Sequence, residues 1–257
     1  IDNNNVHVTG ASKVIGDPGI LMDDNNIITI DGGSDVTGDP EDGINVDDNN
    51  TILIGGAGGA GTVYGKGVNS DGISLTDAFD NSGGGSADDN SVTIGNLGTV
   101  DAKRDGIVVG QVDTDNERNT VLIENGGNVI AGRHGIVVNG QGEDAVDNTV
   151  TINAGGEVNA GGDGVRLLGD GFVLDVFDAA NGGGPFALLG GEDGDGTGND
   201  LVNEGIIRAG GTGVLVSNTN SDVNNSGGAI YAGQDGVRFT TLHTDEADGD
   251  GGGFGES

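Results

Sequence analysis

Asn148-Thr-Val-Thr-Ile-Asn-Ala-Gly-Gly-Glu-Val-Asn-Ala-Gly-Gly-Asp-Gly-Val165 holds three short alternating segments divided by glycine corners. Val150-Thr151-Ile152 comes first, Glu157-Val158-Asn159-Ala160 second, and Val165 opens the third after Gly164. Alternate residues of a strand face opposite sides, so the aliphatics form one face and Thr, Asn and Glu the other. No apolar stripe of 3.6-residue period competes with this pattern. Strands this short cannot stand alone, and they gain stability only when further copies stack on them.

Further copies lie on both sides. The first triplet recurs from Val6, Ile28, Ile52, Val92, Val121, Val150, Leu201 and Val223, with Asn203 and Asn225 in the last two at a position that is aliphatic elsewhere. Closing segments recur in step, beginning Gly19-Ile20, Gly43-Ile44, Gly72-Ile73, Gly106-Ile107, Gly135-Ile136, Gly164-Val165, Gly213-Val214 and Gly236-Val237. Middle strands are clearest at Asn128–Ala131, Glu157–Ala160 and Ala229–Ala232. The connection after the third strand varies, and its two largest insertions span about residues 76–90 and 168–199. The reading is all-β: a three-sheet parallel β-solenoid of about eight coils over residues 1–243, with 244–257 a flexible acidic, Gly-rich tail. At ~4.8 Å per coil it is a rod of roughly 40 Å. Glycine at the corners is expected to supply positive φ, and Asn or Asp to tolerate it.

Composition supports a thin aliphatic core. The 257 residues include 56 glycines, 3 prolines and 3% aromatics, too few large side chains for a thick globular interior. Nine Lys and Arg against 42 Asp and Glu give a net charge of −33, which repels nucleic acid and anionic lipid and attracts cations. Nucleic-acid partners are excluded on that ground, and no apolar run approaches the ~18 residues of a membrane span. There is no cysteine, so neither disulfides nor thiolate metal sites enter.

Across about residues 3–240 the coil pattern, typified by 148–165, resembles the right-handed parallel β-helix of bacterial autotransporter passenger domains and haemagglutinin-like surface adhesins. The resemblance implies export, an extracellular location at the cell surface, and adhesion or scaffolding. Parallel β-helices also include polysaccharide lyases and hydrolases. Here there is no Trp, and the tyrosines are Tyr64 and Tyr231. Sugar-cleaving sites pair two carboxylates beside aromatic platforms, and this chain is rich in the first and poor in the second. The expectation is a protein that is not an enzyme, with no catalytic residues.

The strongest chemical motif runs from Asp193 through Asp195, Thr197 and Asn199 to Glu204, close to a calcium-loop spacing. Thr197 replaces a preferred Asp or Asn, and Leu201-Val202 reads as strand, which argues against a helix-loop-helix site. Binding of Ca2+ through Asp193, Asp195, Thr197 and Asn199, or through Asp113, Asp115 and Glu117, stands beside the alternative of solvated acidic loops. His7, His134 and His243 read as surface residues, and Asp-Gly before the third strand reads as a turn marker. Arg166 and Arg238 should point outward from one face. Phe172, Phe177 and Phe186 concentrate in the 168–199 insertion, either as a small satellite core or as a carbohydrate-directed surface.

No capping element is recognisable beside the first or last coil. Either the chain is a slice of a longer polypeptide, or its ends meet head to tail; the favoured expectation is the second, a structural subunit that joins copies of itself in a filament or surface layer, helped by divalent cations. The alternative is an adhesin or carbohydrate-binding or carbohydrate-degrading β-helix that contacts surface glycans through the 168–199 insertion.

Overall fold

The computed structural model describes residues 3–76, 87–110, 116–139, 145–168, 199–217 and 221–240. It is all-β, with three parallel eight-stranded sheets, each receiving one strand from every coil. The first sheet contains Asn5–Val8, Ile27–Ile30, Thr51–Ile54, Ser91–Ile94, Thr120–Ile123, Thr149–Ile152, Asp200–Asn203 and Val223–Asn224. The second contains Lys13–Gly16, Ser34–Gly38, Gly61–Gly65, Gly98–Ala102, Asn128–Ala131, Glu157–Ala160, Ile206–Ala209 and Ala229–Ala232. The third contains Ile20–Met22, Ile44–Val46, Ile73–Leu75, Ile107–Val109, Ile136–Val138, Val165–Leu168, Val214–Ser217 and Val237–Phe239. The solenoid and its eight coils are therefore as the repeat implies.

Register turns the sequence repeat into columns of like residues. Ile52, Val92, Val121, Val150 and Leu201 are successive partners, as are Ile44, Ile73, Ile107 and Ile136. All these side chains are buried in one continuous core. A one-residue slip in any strand would turn its aliphatics outward, so the alternation itself fixes the register. A small fourth sheet pairs Asn116–Glu117 with Ala145–Val146, which the sequence pattern does not announce. It forms where Val92, Val121 and Val150 recur at equal spacing, so successive connections have equal length and can lie parallel.

Two corners use backbone freedom differently. Before the first sheet, Asn3, Asn25, Asn49, Asp89, Arg118 and Asp147 all have φ between 55° and 58°, the left-handed conformation that Asn and Asp tolerate. Arg118 is the exception in type, and it is held by ion pairs to Asp89 and Glu117. Before the third sheet, the glycines serve another purpose than the expected positive φ. None of Gly43, Gly72, Gly106, Gly135, Gly164 or Gly213 has positive φ, yet an added Cβ at each would overlap the carbonyl oxygen of the corresponding glycine in the next coil. Close approach of stacked backbones, rather than torsion, demands glycine here.

Candidate functional site

Three polar ladders run along the rod at its corners. The first is Asn4, Asn26, Asn50, Asn90, Asn119, Asn148 and Asn199. In each step a side-chain Oδ1 accepts the backbone N–H of the preceding coil's asparagine: Asn50 Oδ1 from Asn26 N at 2.9 Å, Asn148 Oδ1 from Asn119 N at 3.0 Å. From Asn26 to Asn199 these side chains are 0–1% exposed. Buried amides are stabilising only when so paired, which explains why Asn precedes seven of the eight apolar triplets, Ser221 standing at that position before the last.

The second ladder is Asp42, Asp71, Asp105, His134, Asp163 and Thr212, directly before the glycine column. Each member's side chain accepts the backbone N–H of the next, for example Asp42 Oδ1 from Asp71 N at 2.7 Å and Asp105 Oδ1 from His134 N at 3.0 Å. Arginines one residue earlier in the following coil supply countercharge. Arg104 makes a two-pronged pair with Asp71, and Arg133 does so with Asp105 through Nε at 3.0 Å and Nη2 at 2.5 Å. Thus Asp-Gly marks a buried charged spine as well as a turn. His134, expected at the surface, is 9% exposed: its Nδ1 accepts Asp163 N at 3.0 Å and its Nε2 faces Arg166 Nη1 at 3.0 Å. Arg166 is likewise drawn inward to 7% exposure, whereas Arg238 stays open, so the two do not form a shared outward surface.

This spine carries two titrations of opposite sign. Burial, then the neighbouring Asp71 carboxylate, pushes the Asp42 pKa up to about 6. Burial, then the Arg166 charge, pushes the His134 pKa down to about 3. A raised acid stabilises the fold as pH falls from about 6 towards its unfolded value near 3.9, while a depressed His loses stability as pH falls from its unfolded value near 6.5 towards about 3. The two contributions oppose one another between roughly pH 4 and 6. Relative to the unmodified chain, His134→Asn should gain stability on mild acidification and Asp42→Asn should lose it, each difference changing by at most about 1.4 kcal/mol per pH unit. Urea midpoints of both variants across that range provide the check, and parallel profiles would contradict it.

The third ladder is acidic and half-buried at the connection before the first sheet. Asp24 Oδ1 accepts Asp48 N, Asp48 Oδ1 accepts Asp88 N, and Asp88 Oδ1 accepts Glu117 N. Beside it, Asp23, Asp24 and Asp47 each bring a carboxylate oxygen within 4.8 Å of the others. An all-oxygen donor set of this kind matches hard cations such as Ca2+, which take six to eight oxygens.

The sites proposed from sequence sort differently. Asp193, Asp195 and Thr197 lie outside the described residues, as do Asp113, Asp115, His243, the three insertion phenylalanines and the 244–257 tail. Asn199 is described and fully buried, its Oδ1 taken by Asn148 N and Nδ2 at 3.2 and 3.0 Å. Glu117 donates its N–H to Asp88 and pairs with Arg118. His7 bonds Asp31 through Nε2 at 3.0 Å on the open face of the first sheet. Among the described residues no helix is long and apolar enough to cross a membrane. Comparison with protein families, curated proteins and solved structures finds no match to this chain.

Proposed function

We propose that this chain is an extracellular structural subunit whose coils stack on those of a second copy, end to end, into a filament or surface layer. One observation carries the reading: the outermost described coil presents side chains of the core columns at its surface. Val237 and Phe239 continue the buried columns of Val214 and Val216, yet they are 40% and 60% exposed. At the opposite end Val6 and Val14 are only partly buried. Both ends share the same three-strand outline, so the first coil of one copy can take the place of a next coil on another. Such a contact is heterologous and does not close, which yields a filament. Unpaired strand edges favour the same outcome. The acidic Asp23, Asp24 and Asp47 group would let divalent cations moderate the −33 charge that opposes lateral or axial approach.

Gly236 gives this proposal a specific test. In the internal coils the matching glycine abuts the next glycine's carbonyl oxygen, but a Cβ on Gly236 meets nothing within 4 Å. Gly236→Ala should leave the rod folded and obstruct an incoming coil. Negative-stain electron microscopy of the 257-residue chain should show filaments or sheets with calcium, fewer with chelator, and short dispersed rods for Gly236→Ala. Filaments equally abundant with chelator would remove the cation from the proposal, and dispersed rods of the unmodified chain in both conditions would overturn assembly. The alternative, a glycan-directed protein built on the 168–199 insertion, rests on residues outside those described.

A further inference from the structure

Both tyrosines stand in one outward-facing column of the second sheet, but their surroundings differ. Tyr231 is 59% exposed and lies in register beside Arg208, which in turn lies beside Asn159. The three side chains therefore form a row at ~4.8 Å intervals along the rod. The Arg208 guanidinium is 5.7 Å from the Tyr231 ring centroid, and its Nη1 donates to Glu157 Oε2 at 3.1 Å. These contacts fix the edge of a plane made of a ring, a guanidinium and a carboxamide.

A shallow trough runs along this row because the first position of the next corner is glycine in all three coils. Gly161, Gly210 and Gly233 stack so closely that a Cβ on either of the last two would strike the carbonyl oxygen of the glycine before it. The depression beside the row is shallow and open, of about 720 Å³, floored by Gly210, Gly233 and the alanines before them and edged by Asn159, Arg208 and Tyr231. At the other tyrosine the arrangement is absent. Lys66 stands 5.0 Å from the Tyr64 ring, and the next outward residue in register is Asp101.

We propose that the Asn159, Arg208 and Tyr231 row, with the glycine trough beside it, is a binding subsite for a neutral glycan. A sugar ring offers an apolar C–H face for Tyr231 and a rim of hydroxyls that can both donate and accept. Arg208 donates only, whereas Asn159 does both, so the row matches such a rim. Charge selects the class of glycan. Arg208 is already matched by Glu157, leaving no surplus cation for a carboxylate or sulfate, and the field of a −33 chain repels acidic polymers. This subsite lies on the outward face of the second sheet, across the last three described coils.

Isothermal titration of the 257-residue chain with neutral β-1,4-linked hexasaccharides of glucose, mannose and N-acetylglucosamine, and with hexagalacturonate, tests it. At least one neutral hexasaccharide should bind. Tyr231→Ala should weaken that binding about tenfold or more, and Tyr231→Phe should retain most of it. Arg208→Ala should also weaken it. The proposal is overturned if none of the neutral sugars binds, if hexagalacturonate alone binds, or if Tyr231→Ala binds as the unmodified chain does.

Discussion

Gly106→Ala is expected to destabilise the rod by about 3 kcal/mol or more, although it adds one methyl group. The new Cβ would sit 2.5 Å from Gly135 O and overlap a Val129 methyl, and neither can move freely. Gly135 O accepts Ile107 N at 3.0 Å, and Val129 is a fully buried core residue. Relief would require the coils to separate locally, breaking the ladder bonds of the third sheet on both sides. Gly236→Ala is the internal comparison, since its Cβ meets open space, and its effect should stay within about 0.5 kcal/mol. Urea unfolding followed by far-UV circular dichroism would separate the two. A Gly106→Ala midpoint equal to that of Gly236→Ala would mean the coils are less tightly stacked than the contacts require.

The second large effect lies in the charged spine. Asp105→Asn keeps the shape of the side chain but removes the charge that faces Arg133, and turns one oxygen into a second donor against Arg133 Nη2. Burial opposes the Asp105 charge, yet the hydrogen bonds and charge of Arg133 outweigh it and hold the carboxyl below the ordinary range. Breaking one side of a buried pair costs about 3–5 kcal/mol, and because the Arg133 side chain is 44% exposed the expected loss is nearer about 2–3. Asp89→Asn removes an exposed partner of Arg118 and should cost no more than about 1 kcal/mol. The Asp105 difference belongs to neutral pH. It should shrink as pH falls through the depressed Asp105 pKa, because the unmodified carboxylate is then protonated as well. Equal losses for the two variants would refute the distinction between spine and surface.

Several features were legible in the sequence because they depend on local alternation. Val150, Ile152, Val158 and Val165 are inward because strand geometry alternates, and every coil repeats the pattern with recognisable glycine punctuation. The insertions between Leu75 and Ser91 and between Leu168 and Asp200 fall at the corner assigned to them. By contrast, nothing local to His134, which lies between Arg133 and Gly135, signals its burial, and the expectation of a surface histidine fails there. Sequence neighbours do not reveal that it occupies an aspartate position in a vertical column, between Asp105 and Asp163. The arginines that precede Gly-flanked ladder positions, Arg104 and Arg133, were the available hint, but their partners lie 33 and 28 residues earlier. Arg166 departs from expectation for the same reason, since outward direction on a strand does not by itself establish exposure.

The sequence alone thus determined the three main strands of each coil, the number of coils, the inward face of their aliphatic residues and the axis along which they stack. It could do so because a solenoid repeats one local unit, and burial within that unit follows from period-2 alternation. Only the tertiary structure decided what the polar residues do. Stacking brings residues about one coil apart into contact, so asparagines become a buried ladder, Asp-Gly turns become a charged spine, and Asn159, Arg208 and Tyr231 become one row beside a trough. Those relations depend on register between coils separated by connections of unequal length, and no local pattern carries that information.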